Sequence, residues 1–594
     1  MIRRFGLSAL VLMGMLSALG RAADPPAEKI AAPAALPVLK AIPDNALAVV
    51  LVNNLTQADA QLVRLGQQAG LPSTSALTMI KTILGITEGL DEKGTLAFVV
   101  QPNEGGPPAA PLIYIPVTDY AKFIAPLSPD KTDGSPTRIL IYNEAALVAK
   151  KGNYAVVTAP PFEEALKAAV AADRNIAAQL APLSGWIGEH DASAIATTAG
   201  IKLVVATARQ GMQQAKASIP AGIPNAQQIT AIFDIYDTVF KAADEEMTVA
   251  AAGLRIDKDS NVHLTSTWRF KADGPVAKAL AAVPALAGKP FADLTAGPYL
   301  LAVDGVMPQG WLSGLWSSDF MKLALQRSGI TDEQFGKIAE MSKESTRAVR
   351  GMALKVGVPA ADEAALQNVV ITMRVENAAK YMEALYKQID QMQEISKGAD
   401  SPLFKGYEFK KLDIDGAKAV EITADLAANS PPQVRQMVLQ IYEKIFGPGG
   451  KMAVTYLPID EHTIFATYTN SEMAAKKLAA IKSRQGGLAA DPQVVKTLAL
   501  LPANAQWQGV WDLAGTKDFI KQVMLATAGG RQPPPLPDVP ATSPLGFAAR
   551  ASAEGFSTDV VIPADAVKVL GQLVPQLMQG GGSPLFAPPP LQKF

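Results

Sequence analysis

The 594-residue chain has no cysteine, only three histidines and no long block of charge of either sign. Each absence excludes something. Without cysteine there is no disulfide framework and no thiolate metal site. A bacterial lipoprotein anchor, built on a cysteine at the cleavage point, is excluded too. The 54 basic and 55 acidic side chains are interspersed. There is no basic stripe of the kind nucleic acid requires, and no basic amphipathic helix suited to an anionic membrane. The charges read as a solvated surface. Beyond the N-terminus no uninterrupted apolar run reaches about 18 residues, so no transmembrane helix is expected.

Several reactive motifs are missing as well. "GPGGKM" (447–452) lacks the earlier glycine of a P-loop, and Lys451 is followed by Met452. No G-x-G-x-x-G follows a strand, and no H-E-x-x-H occurs. "GWLSGLW" (310–316) is G-x-x-S-G and not the nucleophile elbow G-x-S-x-G.

What is present begins at the first residue. "MIRRFGLSALVLMGMLSALGRAAD" has Arg3 and Arg4, an apolar run from Leu7 to Leu19, and then small residues, Gly20 and Ala22, at the −3 and −1 places of a cut before Ala23. This is the three-part pattern of a secretory signal peptide, with its run too short to span a bilayer comfortably. Removing residues 1–22 takes three arginines and no acids, leaving a mature net charge of −4. A cysteine-free exported chain of this size reads as bacterial, and as periplasmic or extracellular. Residues 23–42, rich in Pro and Ala without a period, read as a flexible leader.

Structure is expected from Ala46, where "ALAVVLVNNL" is a buried strand ending on polar turn residues. A helix capped by Thr56 follows, then a second helix near 75–85. The later chain repeats this order. "VTDYAKFIAPL" (117–127) and "VENAAKYMEAL" (375–385) both read V-x4-K-[FY]-x3-L, a strand end feeding into a helix. "PYLLAVDGV" answers the strand at 46–54, and "VRGMALKVGV" answers "TLAFVVQP". Hairpins running into helices recur at 137–170, 247–283, 451–481 and 544–574, with N-E, D-G, E-G and G-N marking turns. The expected fold is α+β: duplicated ββα-rich modules with largely antiparallel sheets and helices packed on one face. The halves are 43–287 and 288–578. A proline-rich loop covers 527–544, and a disordered tail covers 579–594.

The densest cluster of ionisable side chains is "WIGEHDASA" (186–194), with Glu189, His190 and Asp191 adjacent. Adjacent residues point apart on a strand or a helix, and a metal or a catalytic pair needs convergent, spaced groups. A solvated polar loop entering a strand is the expected reading. A structural hydrogen-bond network comes next, ahead of catalysis or metal binding. His263 on a strand and His462 at a hairpin tip add nothing convergent. "DKDSN" (257–261) has oxygens at Asp257, Asp259 and Asn261, but Val262 and Trp268 stand where an EF-hand needs glycine and glutamate, so it reads as a turn. Leu312, Trp316 and Phe320 repeat at helical spacing; core packing is expected there, with an amphiphile-binding face as the alternative.

With its export pattern, absence of cysteine, doubled ββα organisation and "IPDNALAVVLVNNL" opening the first domain, the chain resembles the uncharacterised secreted proteins common in planctomycete-type bacteria. The resemblance covers the general character of the mature chain, carries no diagnostic motif and implies no site residues. No catalytic, cofactor-binding or metal residue is assigned. The expectation is an exported, non-catalytic envelope protein with a binding or structural role, acting through its sheet faces or the groove between halves. The alternatives are a carrier of an amphiphilic ligand, suggested by Trp311, Trp316 and the Ala-rich helices, and a hydrolase with dispersed carboxylates. A further envelope protein or an amphiphile would be the partner; nucleic acid would not.

Overall fold

The computed structural model describes residues 36–579, apart from 72, 104–108, 142, 220–225, 309–321, 323–330, 361–362, 399–405, 415, 429, 431, 483–486 and 528–535. The fold is α+β, with nineteen strands in one sheet. The first nine are β1 (Ala48–Val52), β2 (Leu96–Pro102), β3 (Ala109–Pro116), β4 (Thr137–Ile141), β5 (Glu144–Lys151), β6 (Tyr154–Thr158), β7 (Ala192–Thr197), β8 (Met247–Ile256) and β9 (Val262–Phe270). The rest are β10 (Tyr299–Val306), β11 (Val349–Gly357), β12 (Val369–Val375), β13 (Tyr407–Ile414), β14 (Ala417–Ala424), β15 (Met452–Pro458), β16 (Thr463–Thr467), β17 (Trp507–Trp511), β18 (Leu545–Ser552) and β19 (Gly555–Ile562). No described helix is long and apolar enough to cross a membrane.

Pairing is antiparallel and runs β4-β5-β6-β3-β2-β1-β7-β8-β9 through the first half. In the second it runs β13-β14-β15-β16-β12-β11-β10-β17-β18-β19. Setting aside β13, the two orders are the same, with β1 and β10 in matching places. The halves meet where β9 lies against β19, through the single register pair Val262↔Ile562. Side chains secure this seam. Ser266 and Thr558 share a hydroxyl hydrogen bond of 2.6 Å, and Asn261 Oδ1 accepts from the Ala564 amide at 3.0 Å.

Alternation along each strand gives the sheet two apolar faces. On one, Val49, Leu51, Ala97, Val99, Leu112, Tyr114 and Ile195 form the first-half core. Ile113, Ile115, Val148, Ala155 and Val157 point to the other face, where Tyr120, Phe123 and Ile124 cover them. The second half does the same, with Ala302, Ala353, Val370 and Val510 on one side and Tyr381, Met382 and Leu385 covering Ile464 and Val420 on the other. Helices therefore lie on both faces and not on one as expected. Every residue of β6 and β16 is buried for that reason.

The leader reading needs correction at its end. Pro37–Ala41 form a short helix, and Val38, Leu39 and Ile42 sit fully inside the first core. The helix Leu55–Gln68 is capped by Asn54, which adopts φ 45° and accepts from the Gln57 amide, and not by Thr56.

The two strand-to-helix junctions fall in matching places, after β3 and at the end of β12. The Asp119 carboxylate accepts from the Lys122 amide at 3.1 Å, and the Asn377 amide oxygen accepts from the Lys380 amide at 2.8 Å. Val117, Phe123 and Leu127 are buried in one, and Val375, Tyr381 and Leu385 in the other. A second match was not read from the sequence. After β7 the helix Thr198–Ala217 begins Thr-Ala-Gly-Ile-Lys; after β17 the helix Leu513–Thr527 begins Leu-Ala-Gly-Thr-Lys. In each, glycine lets the first turn cross the chain entering the neighbouring strand. A Cβ on Gly200 would stand 2.8 Å from the carbonyl carbon of Leu47, and one on Gly515 2.7 Å from that of Tyr299.

Candidate functional site

The ionisable cluster of residues 189–191 is a structural network and not a solvated loop. The helix Ser184–Glu189 turns the chain so that Glu189 faces solvent while His190 and Asp191 go inside. The His190 ring packs against Trp186 at a tilt, with centroids 4.2 Å apart. It lies over Gly253 of β8, where a Cβ would come within 2.8 Å of the ring carbon Cγ. Nδ1 is 2.5 Å from the Trp186 carbonyl oxygen, which can only accept, so Nδ1 carries the proton. Nε2 then accepts from the Thr265 hydroxyl at 2.7 Å. Burial, helped by the nearby Arg255, lowers the imidazole pKa to about 4 and keeps it neutral. Asp191 accepts from the Ile256 amide at 2.8 Å, and burial pushes its carboxyl above the usual range. The three residues go to three different places.

His263 joins this region through β9, two residues from Thr265. It is buried, with Nε2 3.4 Å from the Asp257 carboxylate. Asp257 in turn accepts from the Asp259 and Asn261 amides at 2.9 Å and closes the turn that the sequence suggested. His462 stays apart at its hairpin tip, 2.9 Å from the Glu376 carbonyl oxygen. Among the described residues no group of three or more His, Asp and Glu is placed to hold a metal ion. Residues 310–316 and 320, with Trp311, Leu312, Trp316 and Phe320, lie outside the described residues.

A cleft of about 980 Å³ opens at the seam between the halves. One wall is the start of the helix Thr198–Ala217, with Thr198, Ala199 and Lys202. The opposite wall carries Asp44, Gln179, Pro182 and Leu183. Val249 and Phe270, from β8 and β9, supply an apolar floor, and the β18–β19 turn brings Ala553 and Glu554 to the rim. Arg269 reaches across the seam to Glu554 at 2.5 Å, and Asp44 is held by Arg174 at 2.7 Å. Lys202 is exposed, and no carboxylate pairs with it among the described residues.

The matching lysine of the second half is occupied. Lys517 stands at the same place in its Ala-Gly-x-Lys turn and pairs with Asp538 at 3.3 Å and with Asp518 at 3.8 Å. Asp538 belongs to the proline-rich stretch, in a piece outside any helix or strand whose next residue, Val539, is buried. The sequence reading missed Lys202, Arg269 and Glu554. The doubled Ala-Gly-x-Lys was the one signal that could have drawn attention to the first.

No family model, curated protein or solved structure matches the chain.

Proposed function

We propose that this is an exported, non-catalytic protein of a bacterial envelope that binds a ligand in the cleft at the seam. The observation that carries the reading is the cleft itself, lined by the first half with the second half's Ala553 and Glu554 at its rim, and with an apolar floor. A concave, largely apolar site with a few polar groups is the usual form of a small-molecule pocket. The groups suited to acid–base work, His190, Asp191, His263 and Asp257, hold hydrogen bonds elsewhere. The N-terminal pattern supports export, and the matching strand orders support an origin by duplication.

The test is ligand recovery. Mature protein purified from the envelope fraction is denatured, and released small molecules are identified by mass spectrometry. A compound recovered with the native chain and lost with Ala199→Trp, which fills the cleft mouth, is the expected result. Equal recovery from both overturns the reading. The same spectra report the N-terminus: a mature chain beginning at Ala23 is expected, and an intact Met1 in the membrane fraction speaks against export.

A further inference from the structure

We propose that the cleft takes a singly charged carboxylate carried on an apolar body, with Lys202 as the residue that receives the carboxylate; this rests on the binding reading above. Three observations support it. The first is charge. Of the ionisable groups on the lining, Glu554 is paired with Arg269 and Asp44 with Arg174, so those charges are answered. Lys202 remains, a single positive charge without a described carboxylate. The lining thus presents one unanswered positive charge, which a single carboxylate matches.

The second observation is the matching place in the other half. There the chain itself supplies the occupant: Lys517 holds the Asp538 carboxylate, beside the buried Val539. Among the described residues of the first half no carboxylate takes that place: the helix Thr198–Ala217 is followed by the helix Ala226–Glu246, and Lys202 lies on the cleft lining. The third is the floor. Val249 and Phe270 line it, and Ala199 lies in the first turn of a 20-residue helix, whose N-terminal dipole adds a modest attraction for an anion.

Isothermal titration of the mature chain with decanoate, decanol and decyltrimethylammonium tests the assignment. Decanoate should bind about tenfold more tightly than decanol, as one charge-assisted hydrogen bond allows, and the cationic probe should bind least. Lys202→Gln should weaken decanoate about tenfold and leave decanol unchanged. Added salt should weaken decanoate, because the lysine is exposed. Lys517→Gln is the control and should leave all three unchanged. Equal affinity for decanoate and decanol, tighter binding of the cation, or no effect of Lys202→Gln overturns the carboxylate assignment alone. If no probe binds, and Ala199→Trp also leaves ligand recovery unchanged, the cleft reading falls with it.

Discussion

Replacing Gly200 by alanine tests the crossing that ties the helix Thr198–Ala217 to the strand entering the core. The added methyl would fall on the Leu47 carbonyl group, 2.8 Å from its carbon and closer still to its oxygen. That oxygen is not free to move. It accepts from the Thr197 amide at 3.1 Å and the Thr197 hydroxyl at 3.2 Å, and the Leu47 amide donates to Val100 at 2.8 Å. Overpacking a fixed contact costs about 2 kcal/mol, and loosening one buried hydrogen bond costs about 1 more. Alanine returns about 1 kcal/mol through helix propensity. The net expectation is a loss of about 2 kcal/mol. The control lies in the same helix. Nothing stands within 4 Å of a Cβ on Gly211, so Gly211→Ala should gain about 1 kcal/mol. Urea unfolding followed by far-UV circular dichroism separates the two. A Gly200→Ala chain as stable as the parent would refute the crossing, above all if Gly211→Ala behaves as expected.

Two further substitutions probe the buried polar groups. Asp304, at 1% exposure, accepts from Arg374 at 2.5 Å and from the Phe291 amide at 2.9 Å. Asp304→Ala should cost about 3 kcal/mol by stranding both donors, and a urea midpoint close to the parent's would count against it. His190 should make the chain acid-sensitive. Its folded pKa, about 4, lies below the ordinary 6.5, so the unfolded state takes up protons first. Its contribution is whole above pH 6.5 and is lost as the pH falls toward 4, by about 3 kcal/mol. His263 is lowered by burial and acts in the same sense. Asp191 is raised and acts oppositely, its contribution fading as the pH rises through its folded value. Urea midpoints between pH 7 and pH 4 should fall less steeply in His190→Gln than in the parent, and an unchanged slope would refute the assignment.

Strands and turns were legible because alternation and turn residues are local. The V-x4-K-[FY]-x3-L junctions were legible because a cap and two buried side chains are spaced by helix geometry alone. His190 was misread for a non-local reason. What buries it is Gly253, a residue without a side chain on a strand some sixty positions later, together with the Thr265 hydroxyl beyond. Val38, Leu39 and Ile42 were misread because four apolar residues between prolines have no period to betray a docking helix. Helices on both faces escaped notice because β6, "YAVVT", carries no alternation. A strand covered on both sides looks the same as one simply rich in apolar residues. The cleft was not legible at all. Lys202 looks like any solvated helix lysine until Glu554, 352 positions later, is placed on the opposite rim.

The seam also sets a schedule. Ser266 and Thr558 stand 292 residues apart, and β19 is among the last elements of the chain to be made. At about 5–20 residues per second, a newly completed first half waits roughly a quarter of a minute to a minute for the strand that closes it. Through that interval β9 is an open edge, the kind of surface on which chains aggregate. Its sequence is suited to waiting: Ser266 and Arg269, which later meet Thr558 and Glu554, are groups that water can satisfy. The same two side chains that later lock the halves together first keep an unfinished molecule apart from its neighbours.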